Sequence, residues 1–139
     1  MFDFIIMDNP EYNVSHEYVD AVEKRLNIQF PEILRCYYTE HNFAEIEERP
    51  FEVLGMTFCV EFIMPLNNAK ICVESILKIN ENDEWIPKTF IPLAEDVDAD
   101  DYYWDSSDGK VYYLTMGNIE NPIPVCDSVE EFFELINNA

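Results

Sequence analysis

The sequence predicts an α+β fold in which a largely antiparallel sheet is flanked by N-terminal and C-terminal helices. Three observations predict it: two helical patterns near the N-terminus, a strand-turn-strand pattern around Asp108, and a helical pattern after Ser128. The segments that favour strands outnumber what an alternating βαβ arrangement would contain, which favours an antiparallel sheet. With 139 residues the chain has the length of one domain, so we expect residues 1–139 to form a single domain.

Two helices are predicted between Ser15 and Glu40. Ser15 is a favoured N-cap residue, and apolar side chains then recur at helical spacing at Tyr18, Val19, Val22 and Leu26. Asn27 ends this helix, because asparagine tolerates the left-handed conformation. Pro31 and Glu32 suit the first turn of a second helix, which is predicted to run from Pro31 to about Glu40.

The middle of the chain predicts strands and one more helix. Residues 45–50 are interpreted as an exposed loop because they are highly charged. Residues 51–64 are rich in strand-forming types and predict one or two strands, with a turn or bulge at Gly55. Residues 68–79 predict a short helix because their apolar side chains form one stripe. Residues 90–93 predict a short strand at a sheet edge or strand end, since proline lacks an N–H group.

The last third of the chain predicts a hairpin and a helix. Two strand-like runs, 102–104 and 110–115, flank a loop that ends in Asp-Gly, which is typical of a hairpin. Ser128 and Glu131 have the spacing of a capping box. Apolar residues then follow at helical spacing: Val129, Phe132, Phe133 and Ile136. This pattern predicts the C-terminal helix.

The charge of the chain restricts its partners. There are 29 acidic and 8 basic residues, and the formal net charge is −21. Nucleic acids and anionic membranes are disfavoured, because both require clustered Lys and Arg. A basic protein is the expected partner. No apolar run approaches the roughly 20 residues of a membrane span, and residues 1–8 lack the basic start of a secretory signal, so a cytoplasmic location is expected.

The sequence offers little support for catalysis, a cofactor or a metal. His16 and His41 are the only histidines, and no serine or cysteine stands at a familiar spacing from either. Three glycines are too few for a glycine-rich phosphate loop. The four cysteines are far apart and include no CxxC pair, which predicts reduced thiols and no zinc site. We therefore expect a protein without enzymatic activity, cofactor or metal.

Three segments, in order, resemble the SUKH superfamily, the Smi/Knr-like group. Residues 23–34 resemble the end of its N-terminal helix with a Leu-Gly-hydrophobic-x-Leu-Pro turn, although Asn27 replaces the glycine. Residues 91–114 resemble its Pro-x-Ala-x-Asp element, the following aromatic strand and a hairpin, and residues 125–133 resemble its closing helix. The resemblance implies an α+β domain without catalytic activity. Bacterial members are typically immunity proteins that bind a toxin, often a nuclease, and fungal relatives regulate cell-wall signalling.

The region 95–108 carries seven carboxylates. Asp96, Asp98 and Asp100 would occupy positions 1, 3 and 5 of an EF-hand loop. Asp101 stands where that motif requires glycine, however, and Ser107 stands where it requires glutamate. We therefore predict no specific calcium site.

Partner capture is the favoured interpretation of this region, because aromatic residues lie among the carboxylates as in many binding hot spots. The predicted partner-binding residues are Glu95, Asp96, Asp98, Asp100, Asp101, Tyr103, Trp104 and Asp108. Tyr103 is the expected exposed aromatic if Trp104 points into the core. The alternative is a solvated acidic loop with aromatic residues in the core.

The functional hypothesis is an immunity protein that binds and neutralises a basic toxin domain of the nuclease type. An endogenous regulatory or scaffold protein of the same fold is the alternative, and an enzyme or metal-binding protein is a further one. The sequence leaves the oligomeric state open.

Overall fold

A computed structural model describes residues 2–83, 86–115 and 120–139. In chain order the elements are β1 (Ile5–Met7), a 3-10 turn (Pro10–Tyr12), α1 (His16–Leu26), α2 (Glu32–His41), β2 (Glu45–Ile46), β3 (Phe51–Val53), β4 (Met56–Phe58), β5 (Val60–Ile63), α3 (Val73–Asp83), β6 (Phe90–Asp96), β7 (Asp101–Asp105), β8 (Val111–Leu114), β9 (Ile123–Cys126) and α4 (Val129–Asn137). The predicted α+β class with a largely antiparallel sheet is confirmed. None of the helices in these described ranges is both long enough and apolar enough to cross a membrane.

The main sheet has five antiparallel strands in the order β5-β6-β7-β8-β9, so β7 is its central strand. Tyr102 and Trp104 belong to the main core, which also contains buried side chains of α1, α2 and α4. Tyr103 belongs instead to a smaller cluster with Phe90 and Leu114. Because side chains alternate along a strand, β7 is buried on both faces of the sheet.

The predicted helix ends are confirmed at α1 and α4. Ser15 Oγ accepts the N–H of Tyr18 over 3.1 Å, and Asn27 ends α1 with a φ of 55°. Ser128 Oγ likewise accepts the N–H of Glu131 over 3.1 Å. The Glu131 carboxylate reaches back to the N–H of Asp127, one residue before the cap. These caps satisfy backbone donors that the first turn of a helix leaves without partners.

Several predictions for residues 45–79 are corrected. Residues 51–64 form three strands rather than one or two. Glu45 and Ile46 form β2, which pairs with β1, so this part of the predicted loop is a strand. The helix predicted for residues 68–79 is instead α3, which runs from Val73 to Asp83. Asn68 has a φ of 68°, which excludes this residue from a helix.

Strand β6 is longer than predicted. It begins at the edge of the sheet and continues into the interior. Over Phe90–Pro92 it pairs only with β7, so Pro92 lies at an edge, as expected for a residue without an N–H group. From Ala94 onward the strand lies between β5 and β7. The edge prediction therefore holds only for the first part of β6.

A buried asparagine joins three parts of the chain at the end of α2. Asn42 Nδ2 donates to the carbonyl oxygens of Tyr12, over 2.8 Å, and Asn67, over 2.9 Å. Its Oδ1 accepts the N–H of Leu66 over 2.9 Å. Buried backbone groups require such partners, so this one amide fixes the 3-10 turn and the segment after β5 against α2.

Replacing Asn42 with alanine should lower the free energy of unfolding by about 3 kcal/mol, because it leaves buried polar groups without partners. Denaturant unfolding measures the change. Asn82→Ala, at an exposed position on α3, is the control and should change stability by less than about 0.5 kcal/mol. Equal effects of the two substitutions would show that the Asn42 contacts do not stabilise the fold.

Candidate partner-binding surface

The predicted partner-binding carboxylates lie in two groups, one at each end of strand β7. Glu95 and Asp101 are cross-strand partners at the start of β7, next to the β6–β7 turn. Asp105 ends β7, and Asp108 lies in the turn beyond it. A strand of this length spans about 14 Å, so Asp108 lies well apart from the carboxylates at the other end. We call the group at the β6–β7 end the acidic tip; its members are Glu95, Asp98, Asp100 and Asp101.

Asp96 holds the β6–β7 turn together and is only 4% exposed. Its Oδ1 accepts the N–H of Asp98 over 2.8 Å, and its Oδ2 accepts the hydroxyl of Tyr102 over 3.0 Å. The turn is completed by Ala99, which has a φ of 67°. Asp96 therefore has a structural role in this turn, and it presents almost no surface to a partner.

The expectation of an exposed aromatic at Tyr103 is wrong. Tyr103 is 1% exposed and Trp104 is 3% exposed. The Tyr103 ring packs against Phe90 with centroids 6.0 Å apart, and the Trp104 ring lies 6.1 Å from that of Phe30. The cause is that both faces of β7 are covered: Trp104 lies in the main core, and Tyr103 packs with Ile86, Phe90 and Leu114 on the other face.

Burial and neighbouring charge raise two pKa values in the acidic tip. The pKa of Asp101 is raised to about 6, mainly by burial and then by the charge of Glu95. The charge of Asp100 adds to this increase, and the hydrogen bond from Tyr103 opposes it. Burial, and then the charge of Glu61, also raise the pKa of Glu95. The folded protein therefore destabilises the ionised form of both carboxylates relative to the protonated form.

Cations are absent from the sequence around the acidic tip. Residues 89–109 contain no Lys, Arg or His. Within the described part of the chain, no ion pair joins Glu95, Asp98 or Asp101 to a basic side chain. Glu95, Asp98 and Asp101 therefore present negative charge that no ion pair within the described residues neutralises.

The carboxylates do not converge on a metal site. Both oxygens of Asp96 accept hydrogen bonds from this chain, so the first ligand of the considered EF-hand is engaged. Among residues 2–83, 86–115 and 120–139, no group of three or more His, Cys, Asp or Glu side chains is placed to hold a metal ion.

The two histidines contact a carboxylate and a guanidinium, respectively. His41 Nδ1 lies 2.6 Å from a carboxylate oxygen of Asp8, and His16 Nδ1 lies 3.4 Å from the guanidinium of Arg35. No hydrogen bond links either histidine to a serine or cysteine side chain in the described residues. The arrangement that activates a nucleophile is therefore not formed at either position.

Two grooves lie away from the acidic tip. One, with a volume of about 310 Å³, has Leu26, Leu77 and Ile91 among its lining residues and runs between α1, α3 and β6. The other, about 490 Å³, separates α2 from α4 and is lined by residues that include Ile33 and Phe133. Neither groove is predictable from local sequence patterns, because each depends on how helices distant in sequence pack.

The SMI1 / KNR4 family (SUKH-1) matches residues 13–135 of this chain. The match covers most of the chain, so the chain belongs to this family, and the resemblance to the SUKH superfamily is confirmed. A search of curated proteins finds no significant match.

Replacing Asp101 with asparagine should stabilise the fold at neutral pH. The folded pKa of about 6 lies above that of an unfolded aspartate, so protonation favours the folded state. This stabilisation is complete below about pH 4 and is lost as the pH rises through about 6. The wild type should therefore melt at a higher temperature at pH 5 than at pH 7.5, and Asp101→Asn should melt higher at pH 7.5 and gain less on acidification.

Glu11→Gln, at an exposed position in the 3-10 turn, is the matched control. It should leave the pH dependence of the melting temperature unchanged. An Asp101→Asn variant that melts lower than wild type at pH 7.5 would contradict the repulsion described here.

Proposed function

We propose that this chain is a non-enzymatic binding protein that neutralises a basic toxin domain of the nuclease type, and that the acidic tip steers the toxin toward it. The SMI1 / KNR4 family consists in general of protein-binding modules with immunity or regulatory roles, and its members are generally not enzymes. The observation that carries the proposal is the negative charge of Glu95, Asp98 and Asp101, which no ion pair within the described residues compensates.

The basic residues lie apart from the acidic tip in the sequence, which supports steering. Four basic side chains border the connected grooves around α1 and α3: Lys24, Arg25, Lys78 and Lys88. The acidic tip lies in a stretch without any of them. With a net charge of −21, the chain attracts a basic partner over its whole surface, and the strongest local attraction is expected where cations are absent.

The raised pKa values of Asp101 and Glu95 indicate that a positive charge from a partner would stabilise their ionised forms. Ionised Asp101 and Glu95 repel each other and are half-buried. A Lys or Arg from a partner would favour their ionised forms and remove the repulsion. The acidic tip therefore gains more from a cation than an ordinary exposed carboxylate does. Because binding favours the ionised forms, affinity should fall as the pH drops below about 6.

The test uses a basic domain encoded beside this gene, inactivated by a substitution in its own active site. Association kinetics are measured over a salt series for the wild type and for the triple variant Asp98→Asn/Asp100→Asn/Asp101→Asn. The wild-type on-rate should fall as salt rises, since charges are screened beyond about 8 Å at physiological ionic strength. The triple variant should associate about tenfold more slowly at low salt and show a weaker salt dependence.

A second triple variant controls for net charge. Glu11→Gln/Glu17→Gln/Glu40→Gln removes the same number of charges from exposed positions elsewhere. If both triple variants slow association equally, the acidic tip has no special role. Neutralisation is measured separately, as loss of nuclease activity when the active domain is mixed with an equimolar amount of this chain. If the wild type neither binds nor inhibits such a domain, the regulatory or scaffold alternative replaces this proposal.

A further inference from the structure

The hairpin of β3 and β4 ends in an exposed leucine with an unfavourable backbone. Leu54 and Gly55 connect the two strands, and both have positive φ angles, 51° and 81°. Two such residues form a type I′ turn, which strongly favours Asn, Asp or Gly at its first central position. The Leu54 side chain is 94% exposed. Leucine therefore strains the turn without contributing burial to the core.

The hairpin tip projects away from the rest of the chain. Among the described residues, a Cβ atom built on Gly55 would have no heavy atom within 4 Å other than those of Gly55 itself and its two chain neighbours. Met56 faces Val53 across the hairpin and is 41% exposed, so the apolar surface extends beyond Leu54. Neither turn geometry nor packing against the described residues accounts for these apolar side chains at the tip.

The base of the same hairpin is fixed in the main core. Phe51 and Phe58 are cross-strand partners and both are buried. The Phe58 ring lies 6.1 Å from Tyr102 and 5.3 Å from Tyr113, and the Phe51 ring lies 6.2 Å from Phe132. An apolar tip on a fixed base requires little ordering when it binds, which is the property of an anchor residue.

The hairpin is connected to the turn that carries the acidic tip. The N–H of Val97, in the β6–β7 turn, donates to the carbonyl oxygen of Cys59, which directly follows β4. Glu52 is exposed on β3. Residues 50–69, like residues 89–109, contain no Lys, Arg or His. The apolar tip therefore belongs to an anionic part of the surface.

We propose that Leu54 and Met56 are the apolar anchor by which a basic protein partner is held. The occupant is the toxin domain of the proposed function, on which this inference rests, and it offers an apolar pocket bordered by Lys or Arg. The charge around the hairpin complements such a border. The sequence predicted an anchor at Tyr103. The proposed anchor is instead Leu54 and Met56, on the β3–β4 hairpin.

The test is Leu54→Asn, which separates binding from stability. Asparagine accepts positive φ, so the variant should melt a few degrees higher than wild type. Its dissociation constant for the inactivated basic domain should rise about 30-fold, mainly through a faster off-rate. The salt dependence of its on-rate should be unchanged, unlike that of the acidic-tip variant.

Three further variants complete the test. Leu54→Gly accepts the same backbone and should weaken binding to a similar extent, so the result does not depend on one variant folding well. Leu54→Met keeps an apolar side chain and should bind within about threefold of wild type. Ile79→Gln, at an exposed apolar position on α3, should bind as wild type does.

Wild-type affinity in Leu54→Asn and Leu54→Gly would overturn the inference. If the acidic-tip variant binds normally while both Leu54 variants are weak, the steering proposal fails and the anchor stands. If the wild type does not bind the basic domain, the proposed function fails and the anchor falls with it.

Discussion

The burial of β7 on both faces is the constraint on which the rest of the structure depends. This strand lies in the middle of the sheet and has three consecutive aromatic residues, whose side chains point alternately to the two faces. Tyr102 and Trp104 therefore lie in the main core, and Tyr103 lies in the smaller cluster. Ionised carboxylates are costly in such an interior. The acidic residues around β7 are therefore confined to its two ends, and a region that is continuous in sequence becomes two separate groups in space.

Of the carboxylates near β7, Asp96 stabilises the turn and is buried, while Glu95, Asp98, Asp100 and Asp101 are partly or fully exposed. Charges of this kind act over distance and mainly increase association rates. Apolar contact acts at short range and mainly slows dissociation. We therefore propose that the two effects come from two hairpins. The acidic tip increases the association rate of the partner, and Leu54 and Met56 slow its dissociation.

Local signals made much of the fold predictable. Helix ends are set by Ser15, Asn27 and Ser128, whose backbone conformation or hydrogen bonds involve residues only a few positions away. The Asp108–Gly109 turn likewise connects neighbouring segments, the paired strands β7 and β8. The pairing of Ile5 with Ile46 was not predictable, because neither short segment has a strand pattern without the other. The burial of Tyr103 likewise depends on Ile86 and Leu114. The carboxylates can be recognised from the sequence as carriers of charge, whereas the exposure expected for Tyr103 is contradicted by its burial.

Hydrogen–deuterium exchange tests the central claim most directly, because it reports which surface a partner covers. The chain is compared alone and saturated with the inactivated basic domain. The account predicts slower exchange in residues 53–58 and 97–101, with little change in the grooves between α1 and α3 or between α2 and α4. Protection confined to those grooves, with unchanged exchange in both hairpins, would contradict it.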